Sequence, residues 1–408
     1  MRIEDVRWLV SPEGAALVAE LAEDAGSLVA AAGRLQRRLA PERAHLILEQ
    51  VELRRRAAAK FPAAGTMFFW PQTLEQATDA WVAAYKARRF AESEPVADLC
   101  CGIGGDLVAL AGRGPVTGVD LDEATLVLAE ANAAGAKHCC RFVAGSVEDF
   151  SVSDFAAWHL DPDRRASGRR TTQIAAYAPG LETIDRLRRE QPSGAVKLAP
   201  ATEVPGEWRQ EVELEWISRD RQCRQQVAWF GGLAKEPGAC RATVLRAAAG
   251  GDSVVGAIAG DGTLRADVGS LGRYLFEPDA AVLAADLGGA LAAKHGLVAL
   301  HPAVPYLTGD EPIADGVMQC FEISDELPFD RKRLKALLRK REIGRLEIKV
   351  RGVDDSPEQI RRRLQLRGPE EAVLVVVRLD RSVRALVGRR VGGLAGNLRF
   401  GPANGWPL

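Results

Sequence analysis

The side chains best suited to chemistry in this 408-residue sequence lie in a short run that is acidic and rich in glycine. An apolar stretch ends near Asp98, passes Gly102 and Gly104, and continues as a helical pattern. Gly102 and Gly104 allow the backbone to approach a ligand where a Cβ atom would clash. The next apolar stretch ends at Asp120. Because a carboxylate at that point can accept both ribose hydroxyls of a nucleoside, the pattern predicts a nucleoside-containing cofactor.

Two classes of cofactor use this arrangement. A dinucleotide site favours G-x-G-x-x-G or G-x-G-x-x-A, and Leu107 stands at the third of these positions. A carboxylate at Asp98 would also repel a pyrophosphate. S-adenosylmethionine carries no phosphate, and its ammonium group suits Asp98, directly or through water. The residues therefore favour S-adenosylmethionine. A dinucleotide reductase is a distant alternative, and a glycine turn with an acidic helix cap is the purely structural one.

A second acidic run, Asp161-Pro162-Asp163-Arg164-Arg165, follows a later apolar stretch. Asp161 could accept a hydrogen bond from a substrate amino group and orient its lone pair toward a methyl group. The structural alternative is a turn that begins at Asp-Pro. Arg164 and Arg165 either contact phosphate or lie in a solvated loop.

The remaining reactive side chains predict neither a metal site nor a nucleophile. The five histidines are scattered, no C-x-x-C is present, and the seven cysteines are expected to be reduced thiols. No serine stands in a nucleophile-elbow pattern. His159 is predicted to pack within its strand, and Lys197 to form a structural salt bridge.

Three regions must position these residues. Residues 1–92 read as helices, one of which is predicted from Thr73 to about Arg89. They include an aromatic run, Met67–Pro71, which predicts either helix-packing core or the wall of a neighbouring pocket. Residues 93–268 alternate short apolar runs with helical patterns, which predicts a parallel, doubly wound sheet closed by an antiparallel pair. Residues 269–400 predict a separate α/β unit, with a helix that starts at Ser356 and a continuous apolar strand over residues 372–379 that is buried on both faces. The predicted strands of the second region are residues 96–100, 116–120, 140–144, 155–160, 195–198, 211–218 and 226–230.

The third region carries a segregated positive charge. Residues 331–351 contain ten Lys or Arg against two Glu. Arg331, Lys335 and Arg339 recur at a spacing that places them on one face of a predicted helix. Lys349 and Arg351 share a face of the following strand. These faces are either an ordinary solvated surface or a patch that contacts phosphate.

Composition limits the classes of protein. The net charge of −1 excludes a histone-like polycation. No apolar run is long enough for a membrane span, and the first ten residues lack a signal-peptide pattern. We therefore expect a cytoplasmic protein.

Residues 95–230 resemble a class I S-adenosylmethionine-dependent methyltransferase. The run from Asp98 to Gly105 is similar to the family's first motif, in the form seen in several RNA methyltransferases, with Cys100 at the usual first glycine. The resemblance implies a Rossmann-like fold, with Asp120 on the ribose and Leu121 packed on adenine. Residues 145–150 resemble the third motif, which implies that Ser146 and Val147 lie at the adenine edge. Asp161 and Pro162 match the fourth motif of amino-methyltransferases, whereas Asp163 and Arg164 replace its second proline and its aromatic residue.

The stretch from about Tyr274 to Arg390 resembles the THUMP-like domain that follows methyltransferase domains in a bacterial family. True THUMP domains bind structured RNA, so the resemblance implies rRNA or tRNA as the partner. The expected reaction moves a methyl group from S-adenosylmethionine to a nitrogen of an RNA base, with Asp161 and Pro162 at the reacting centre. The alternatives are a small-molecule or protein methyltransferase, and a non-catalytic RNA-binding factor whose cofactor pocket is a relic.

Overall fold

The computed structural model describes residues 2–23, 28–164, 171–248 and 251–391. The chain forms two compact units. The first comprises Met1–Ala239 and Leu245–Ser253, and the second comprises Cys240–Val244 and Val254–Leu408. The division into three regions made from the sequence stays a prediction. No helix among the described residues is long and apolar enough to cross a membrane.

The first unit opens with helices that pack through Val6, Leu9, Ile47 and Phe69, all 0% exposed. The sequence predicted one helix from Thr73 to about Arg89, and this is wrong. The chain breaks after Gln76, and the second helix starts anew because the Asp79 side chain accepts a hydrogen bond from the Val82 amide at 2.9 Å. The helices are α1 (Ile3–Val10), α2 (Pro12–Glu23), α3 (Leu28–Leu35), α4 (Pro41–Ala57), α5 (Pro71–Gln76) and α6 (Ala80–Ala87).

A nine-stranded sheet follows, in the order β3-β2-β1-β4-β5-β7-β6-β8-β9. The first five strands run parallel to one another, as predicted. β7 is antiparallel to β6, also as predicted, and it is antiparallel to β5 as well. The strands are β1 (Val96–Leu99), β2 (Val116–Asp120), β3 (Cys140–Ala144), β4 (Ala157–Leu160), β5 (Gly194–Leu198), β6 (Glu213–Arg219), β7 (Gln222–Phe230), β8 (Cys240–Ala248) and β9 (Gly251–Gly260), with helices α7 (Leu107–Leu110), α8 (Glu123–Asn132), α9 (Leu181–Glu190) and α10 (Trp208–Glu211) between them.

The strand order determines where the functional residues can meet. β1 lies between β2 and β4, with Val96 opposite both Val116 and Ala157. The carboxyl ends of these parallel strands therefore share one edge of the sheet, and the order reverses there. The antiparallel pair was predicted to form the sheet edge. Instead, β8 and β9 follow β6 in the order, so the pair is internal.

The second unit is an α/β unit with the strand order β11-β12-β10-β13-β16-β15-β14. Leu334 and Leu338 pack with Leu374 and Val376 in one apolar cluster, and a second cluster contains Val375. Residues 373–377 of β15 are all buried, so the strand is buried on both faces, as its continuous apolar sequence predicted. The elements are β10 (Tyr274–Pro278), α11 (Ala280–Ala284), α12 (Gly288–His295), β11 (Val298–Ala299), β12 (Leu307–Gly309), β13 (Met318–Pro328), α13 (Arg331–Lys340), β14 (Ile343–Arg351), α14 (Pro357–Leu364), β15 (Glu370–Leu379) and β16 (Ser382–Val391).

Candidate functional site

A cavity of about 880 Å³ opens at the carboxyl edge of β1, β2 and β4. Its lining joins residues that are far apart in sequence, because each follows a strand that ends at this edge. Gly104 is outside the lining, and Arg165 lies outside the described residues. The other residues predicted to bind cofactor or to act at the reacting centre all line the cavity, together with Arg164: Asp98, Cys100, Gly102, Asp120, Leu121, Ser146, Val147, Asp161 and Pro162.

The turn after β1 has the conformation that its glycines predicted. Gly102 has φ +55°, and a Cβ atom there would meet no protein atom within 4 Å, so the space beside it belongs to the cavity. Gly104 has φ +85°, and a Cβ atom there would lie 3.7 Å from the Cβ atom of Ala129 on α8. Gly102 therefore faces the cavity, whereas Gly104 faces α8.

Cys100 adopts φ 57°, the left-handed conformation that glycine would take at this position. Burial and the neighbouring carboxylates Asp120 and Asp161 raise the pKa of its thiol well above the usual value. A thiol in this environment stays protonated, so Cys100 is a poor nucleophile.

The end of β2 presents a fixed carboxylate beside an exposed apolar side chain. Asp120 Oδ2 accepts a hydrogen bond from the Gly102 amide at 2.9 Å, and Oδ1 accepts one from the Asp122 amide at 3.1 Å. Burial raises the pKa of Asp120, and these backbone donors oppose the rise. Leu121 next to it is 77% exposed. An apolar side chain so exposed in a cavity is suited to packing against a flat ligand surface.

The loop after β3 completes this side of the cavity. The Ser146 hydroxyl accepts a hydrogen bond from the Glu148 amide at 3.1 Å, which leaves its proton available for donation. Val147 is 4% exposed, and its carbonyl accepts a hydrogen bond from Arg186 at 2.7 Å. The loop is thus anchored from beneath by α9.

Asp161 follows β4 on the opposite side of the turn. Its Oδ2 accepts a hydrogen bond from the Lys197 ammonium at 2.6 Å, so the predicted salt bridge of Lys197 is confirmed. No hydrogen bond to Asp161 Oδ1 is found within the described residues. Asp163 exchanges two backbone hydrogen bonds with Ala178, at 2.7 and 3.0 Å, which fixes the loop around the buried Pro162.

Helix α5 forms the wall facing Asp161. Lys197 also donates to the Gln76 carbonyl at 2.9 Å, and Lys60 donates to three other carbonyls at or beyond the helix end. Cations are favourable at the carboxyl end of a helix. Trp70 and Pro71, at the other end of α5, line the cavity. The aromatic run therefore supplies both core, through its buried Phe69, and pocket wall.

His159 is a residue of the site that sequence reasoning set aside. His159 was expected only to pack within β4, and it is indeed 1% exposed. However, it lines the cavity and hydrogen-bonds to Asp98 through one ring nitrogen and to Lys86 through the other. Its position two residues before Asp161, on the strand beside β1, was the available signal.

In the second unit, the predicted basic stripe lies on α13. Arg331 pairs with Asp355 at 2.9 Å, Lys335 is half-buried and Arg339 is exposed. Lys349 lies on the strand face that was predicted either to be solvated or to contact phosphate. Lys349 is paired with Glu277 at 2.8 Å and with Glu347 at 3.0 Å. These two carboxylates neutralise the positive charge of Lys349 on this strand face. Glu277 comes from β10, so the sequence pattern of residues 343–351 could not reveal the pairing.

Within the described ranges, no three or more His, Cys, Asp or Glu side chains are grouped as a metal ion would require. The seven cysteines form no disulfide, as expected for reduced thiols.

Comparison with known proteins gives three family matches. A methyltransferase domain matches residues 96–160, a THUMP domain-like family matches residues 318–390, and a domain of unknown function matches residues 2–57. An uncharacterised S-adenosylmethionine-dependent methyltransferase of Mycobacterium tuberculosis, in strains CDC 1551 and H37Rv, is 35% identical over 348 residues. The alignment covers 83% of this chain and 94% of that protein.

Among solved structures, a protein from Porphyromonas gingivalis W83, provisionally classed as a methyltransferase, superposes with a TM-score of 0.76. Its sequence is 21% identical, and the match covers 93% of this chain and 98% of that one. This similarity shows that the two chains share a fold.

Proposed function

The chain belongs to the S-adenosylmethionine-dependent methyltransferases, with a THUMP-like domain at its carboxyl end, and from this premise we propose that it methylates a nitrogen of an RNA base. One observation carries the proposal. Asp161 lies on the cavity wall, with one carboxylate oxygen held by Lys197. A carboxylate held in this way can orient an amino group for transfer.

The cavity fits the cofactor on three observations. Asp98 Oδ2 is buried and has no hydrogen-bond partner among the described residues, which suits an ammonium group. The space beside Gly102 is open, and Leu121 is exposed. We assign Asp98, Cys100 and Gly102 to the amino acid end of the cofactor, and Asp120 to the ribose. The residues assigned to adenine are Leu121, Ser146 and Val147.

When bound, S-adenosylmethionine supplies an electrophilic methyl group on a sulfonium. Asp161 Oδ1 accepts a hydrogen bond from the acceptor N–H and can receive its proton after transfer. Lys197 holds Oδ2 through its ammonium group, which lies 2.6 Å from that oxygen. Pro162 fixes the backbone after Asp161, so the carboxylate keeps its direction.

The charges of the lining favour a base over a phosphate inside the cavity. Among the described lining residues, carboxylates outnumber cationic side chains, and Arg164 is the cationic one. Phosphate would be repelled there, whereas the N–H groups of a splayed-out base would meet acceptors. We therefore assign phosphate contact to Arg164 and Arg165 and to the basic stripe Arg331, Lys335 and Arg339. The lining carboxylates are Glu49, Asp98, Asp106, Asp120, Asp122, Glu148, Asp161 and Asp163.

The same lining supports a second candidate, an amine of a protein or small molecule. A cationic amine would be attracted by Glu49 and Asp163 more strongly than a neutral base. The THUMP domain-like match over residues 318–390 favours RNA as the first choice. The cytoplasmic location is likewise our proposal, consistent with an RNA substrate.

The experiment uses a strain that lacks the protein. Its RNA, protein and small-molecule fractions are each incubated with the purified protein and radiolabelled S-adenosylmethionine. We expect label in RNA, sensitive to ribonuclease, and a methylated nucleoside that mass spectrometry finds in wild-type RNA but not in RNA from the deletion strain. Label confined to protein or metabolites would overturn the RNA assignment in favour of the amine. An absence of label in all three fractions would favour a cofactor-binding factor without activity.

A further inference from the structure

A chain of buried polar side chains runs beneath the cavity from α6 to β1. Lys86 donates to Asp106 Oδ1 at 2.7 Å, and the Thr78 hydroxyl donates to the other oxygen of Asp106 at 2.6 Å. Lys86 Nζ is also 3.1 Å from His159 Nε2, and His159 Nδ1 is 2.7 Å from Asp98 Oδ1. Their side chains come from four separate segments of the chain, and each residue is at most 7% exposed.

The chemistry of these groups fixes the tautomer of His159. An ammonium can only donate, so Nε2 of His159 must accept from Lys86. The ring proton is therefore on Nδ1 and is donated to Asp98 Oδ1. A doubly protonated ring would direct an N–H at the ammonium, and Asp106 is too distant from Nε2, at 3.9 Å, to relieve that contact.

The charges of these buried side chains leave one negative charge uncompensated. Lys86 is neutralised by Asp106, and His159 is neutral, so the charge of Asp98 remains. Asp98 lines the cavity, and its Oδ2 is the buried oxygen that has no hydrogen bond within the described residues. A buried carboxylate oxygen of this kind is a receptor for a cation.

We propose that His159 and Lys86 are positioning residues that keep Asp98 as an oriented carboxylate, so that its Oδ2 receives the ammonium group of S-adenosylmethionine. Lys86 sets the tautomer of His159, and His159 holds the opposite oxygen of Asp98. This inference rests on the proposed role of Asp98, and it is independent of the acceptor.

Burial of Asp98 explains why the contacts from Lys86 through His159 to Asp98, called the relay below, are needed. It raises the pKa of Asp98, while the hydrogen bond from His159 opposes the rise. The charge of Asp106 also raises the pKa of Asp98, whereas the charge of Lys86 lowers it, as His159 does. The neighbouring thiols of Cys100 and Cys101 are buried too, and their burial raises their own pKa values. Without the His159 donor the carboxyl group would take up a proton more readily, and a neutral acid binds an ammonium weakly.

The test compares two ligands that differ in the amino acid. S-adenosylhomocysteine carries the ammonium, and 5′-methylthioadenosine has the same nucleoside without it. We expect His159→Leu to weaken S-adenosylhomocysteine binding at least tenfold and to change 5′-methylthioadenosine binding less than twofold. His159→Asn should restore most of the loss, because its amide nitrogen can take the place of Nδ1. An equal loss for both ligands, or no loss, would overturn the proposal.

The pH profile gives a second readout. Affinity for S-adenosylhomocysteine should fall as the pH drops through the pKa of Asp98. In His159→Leu that pKa rises further, so the fall should begin at a higher pH than in wild type. Profiles that coincide would contradict the relay.

A measurement on the wild-type protein covers the case in which His159→Leu does not fold. Nitrogen-15 NMR of histidine-labelled protein should show one ring protonated at Nδ1 and bare at Nε2. The signal is assigned to His159 by its disappearance in His159→Asn. A ring protonated at Nε2, alone or together with Nδ1, would overturn the role of Lys86. None of these readouts requires methylation. The positioning role of His159 and Lys86 can therefore fail while the RNA assignment stands, and the RNA assignment can fail while the positioning role stands.

Discussion

The cavity of the first unit and the outer surface of the second hold their charged side chains in opposite ways. Around the cavity of the first unit, the side chains of Lys86 and Lys197 are 2% and 8% exposed, and each is paired with a carboxylate. In the second unit, Arg331 and Arg345 form pairs while their side chains stay 56% and 71% exposed. Removing a charge from water costs several kcal/mol, whereas an exposed pair contributes about 0–1 kcal/mol.

The difference teaches where charge carries specific information. A buried lysine persists only with a partner at short distance, so the contacts of Lys86 and Lys197 fix the geometry of Asp98 and Asp161 in turn. An exposed arginine can exchange its partner for water or phosphate. We therefore expect single substitutions to act strongly at the buried pairs beside the cavity of the first unit and weakly at the exposed pairs of the second.

The largest effect should come from the buried pair. Lys86→Met leaves Asp106 as a buried charge without its cation, and we expect a loss of about 3–5 kcal/mol in the free energy of unfolding. Arg331→Met is the matched control, because it removes the same sign of charge from the exposed pair with Asp355. It should change the free energy of unfolding by less than about 1 kcal/mol. Urea denaturation measures both, and equal losses would refute the contrast between the units.

The next largest effect concerns turnover. Asp161→Asn removes the charge that Lys197 stabilises and weakens the acceptor for the substrate N–H, so we expect kcat to fall about 100-fold. Affinity for S-adenosylhomocysteine should change little, because Asp161 is assigned to the acceptor side. Methyl-transfer assays and calorimetry separate the two quantities.

The control for Asp161 is Asp154→Asn, the same chemical change on an exposed residue of the same unit. It should leave kcat and cofactor affinity unchanged. If Asp161→Asn retains wild-type kcat, Asp161 is only a turn residue.

A smaller effect is expected for the ribose assignment. Asp120→Ala should weaken binding of S-adenosylhomocysteine by about 1–3 kcal/mol, the range for hydrogen bonds to a charged group. In contrast to His159→Leu, it should weaken 5′-methylthioadenosine equally, since both ligands contain the ribose. Calorimetry with the two ligands provides the check, and a loss restricted to S-adenosylhomocysteine would move Asp120 to the amino acid end. NAD should bind wild type poorly.

The parts of the fold that could be predicted are those set by local pattern. The apolar run Val116–Asp120 is a strand with the predicted bounds, and the capping box at Ser356 and Gln359 starts α14 as expected. Residues at the ends of parallel strands must meet, so the cavity lining followed from the strand order. The break between α5 and α6 could not be predicted in this way, because the apolar spacing continues across it. Only the cap at Asp79 reveals where the second helix begins.

Long-range pairing explains the other misses. His159 reads as a strand residue in its own segment, and its partners Lys86 and Asp98 are 73 and 61 residues away in sequence. Lys349 similarly reads as an exposed cation until Glu277, from another strand, is placed beside it. One segment's residue types cannot show whether a charge will be neutralised by another.

The smallest effect tests whether the exposed charge of the second unit serves RNA. Because Arg331 is paired with Asp355, the stripe's contribution should come mainly from Lys335 and Arg339. Lys335→Glu with Arg339→Glu should lower RNA affinity about tenfold at low salt and flatten its dependence on salt, since each phosphate contact releases counterions. Arg55→Glu with Arg56→Glu on α4 makes the same change of charge on exposed residues of the first unit. RNA binding at several salt concentrations, with S-adenosylhomocysteine affinity as the check on folding, compares the two pairs. If both pairs weaken RNA binding equally, the protein responds to its net charge and the stripe is an ordinary solvated face. If neither pair of substitutions weakens RNA binding, RNA binds without contacts to α13.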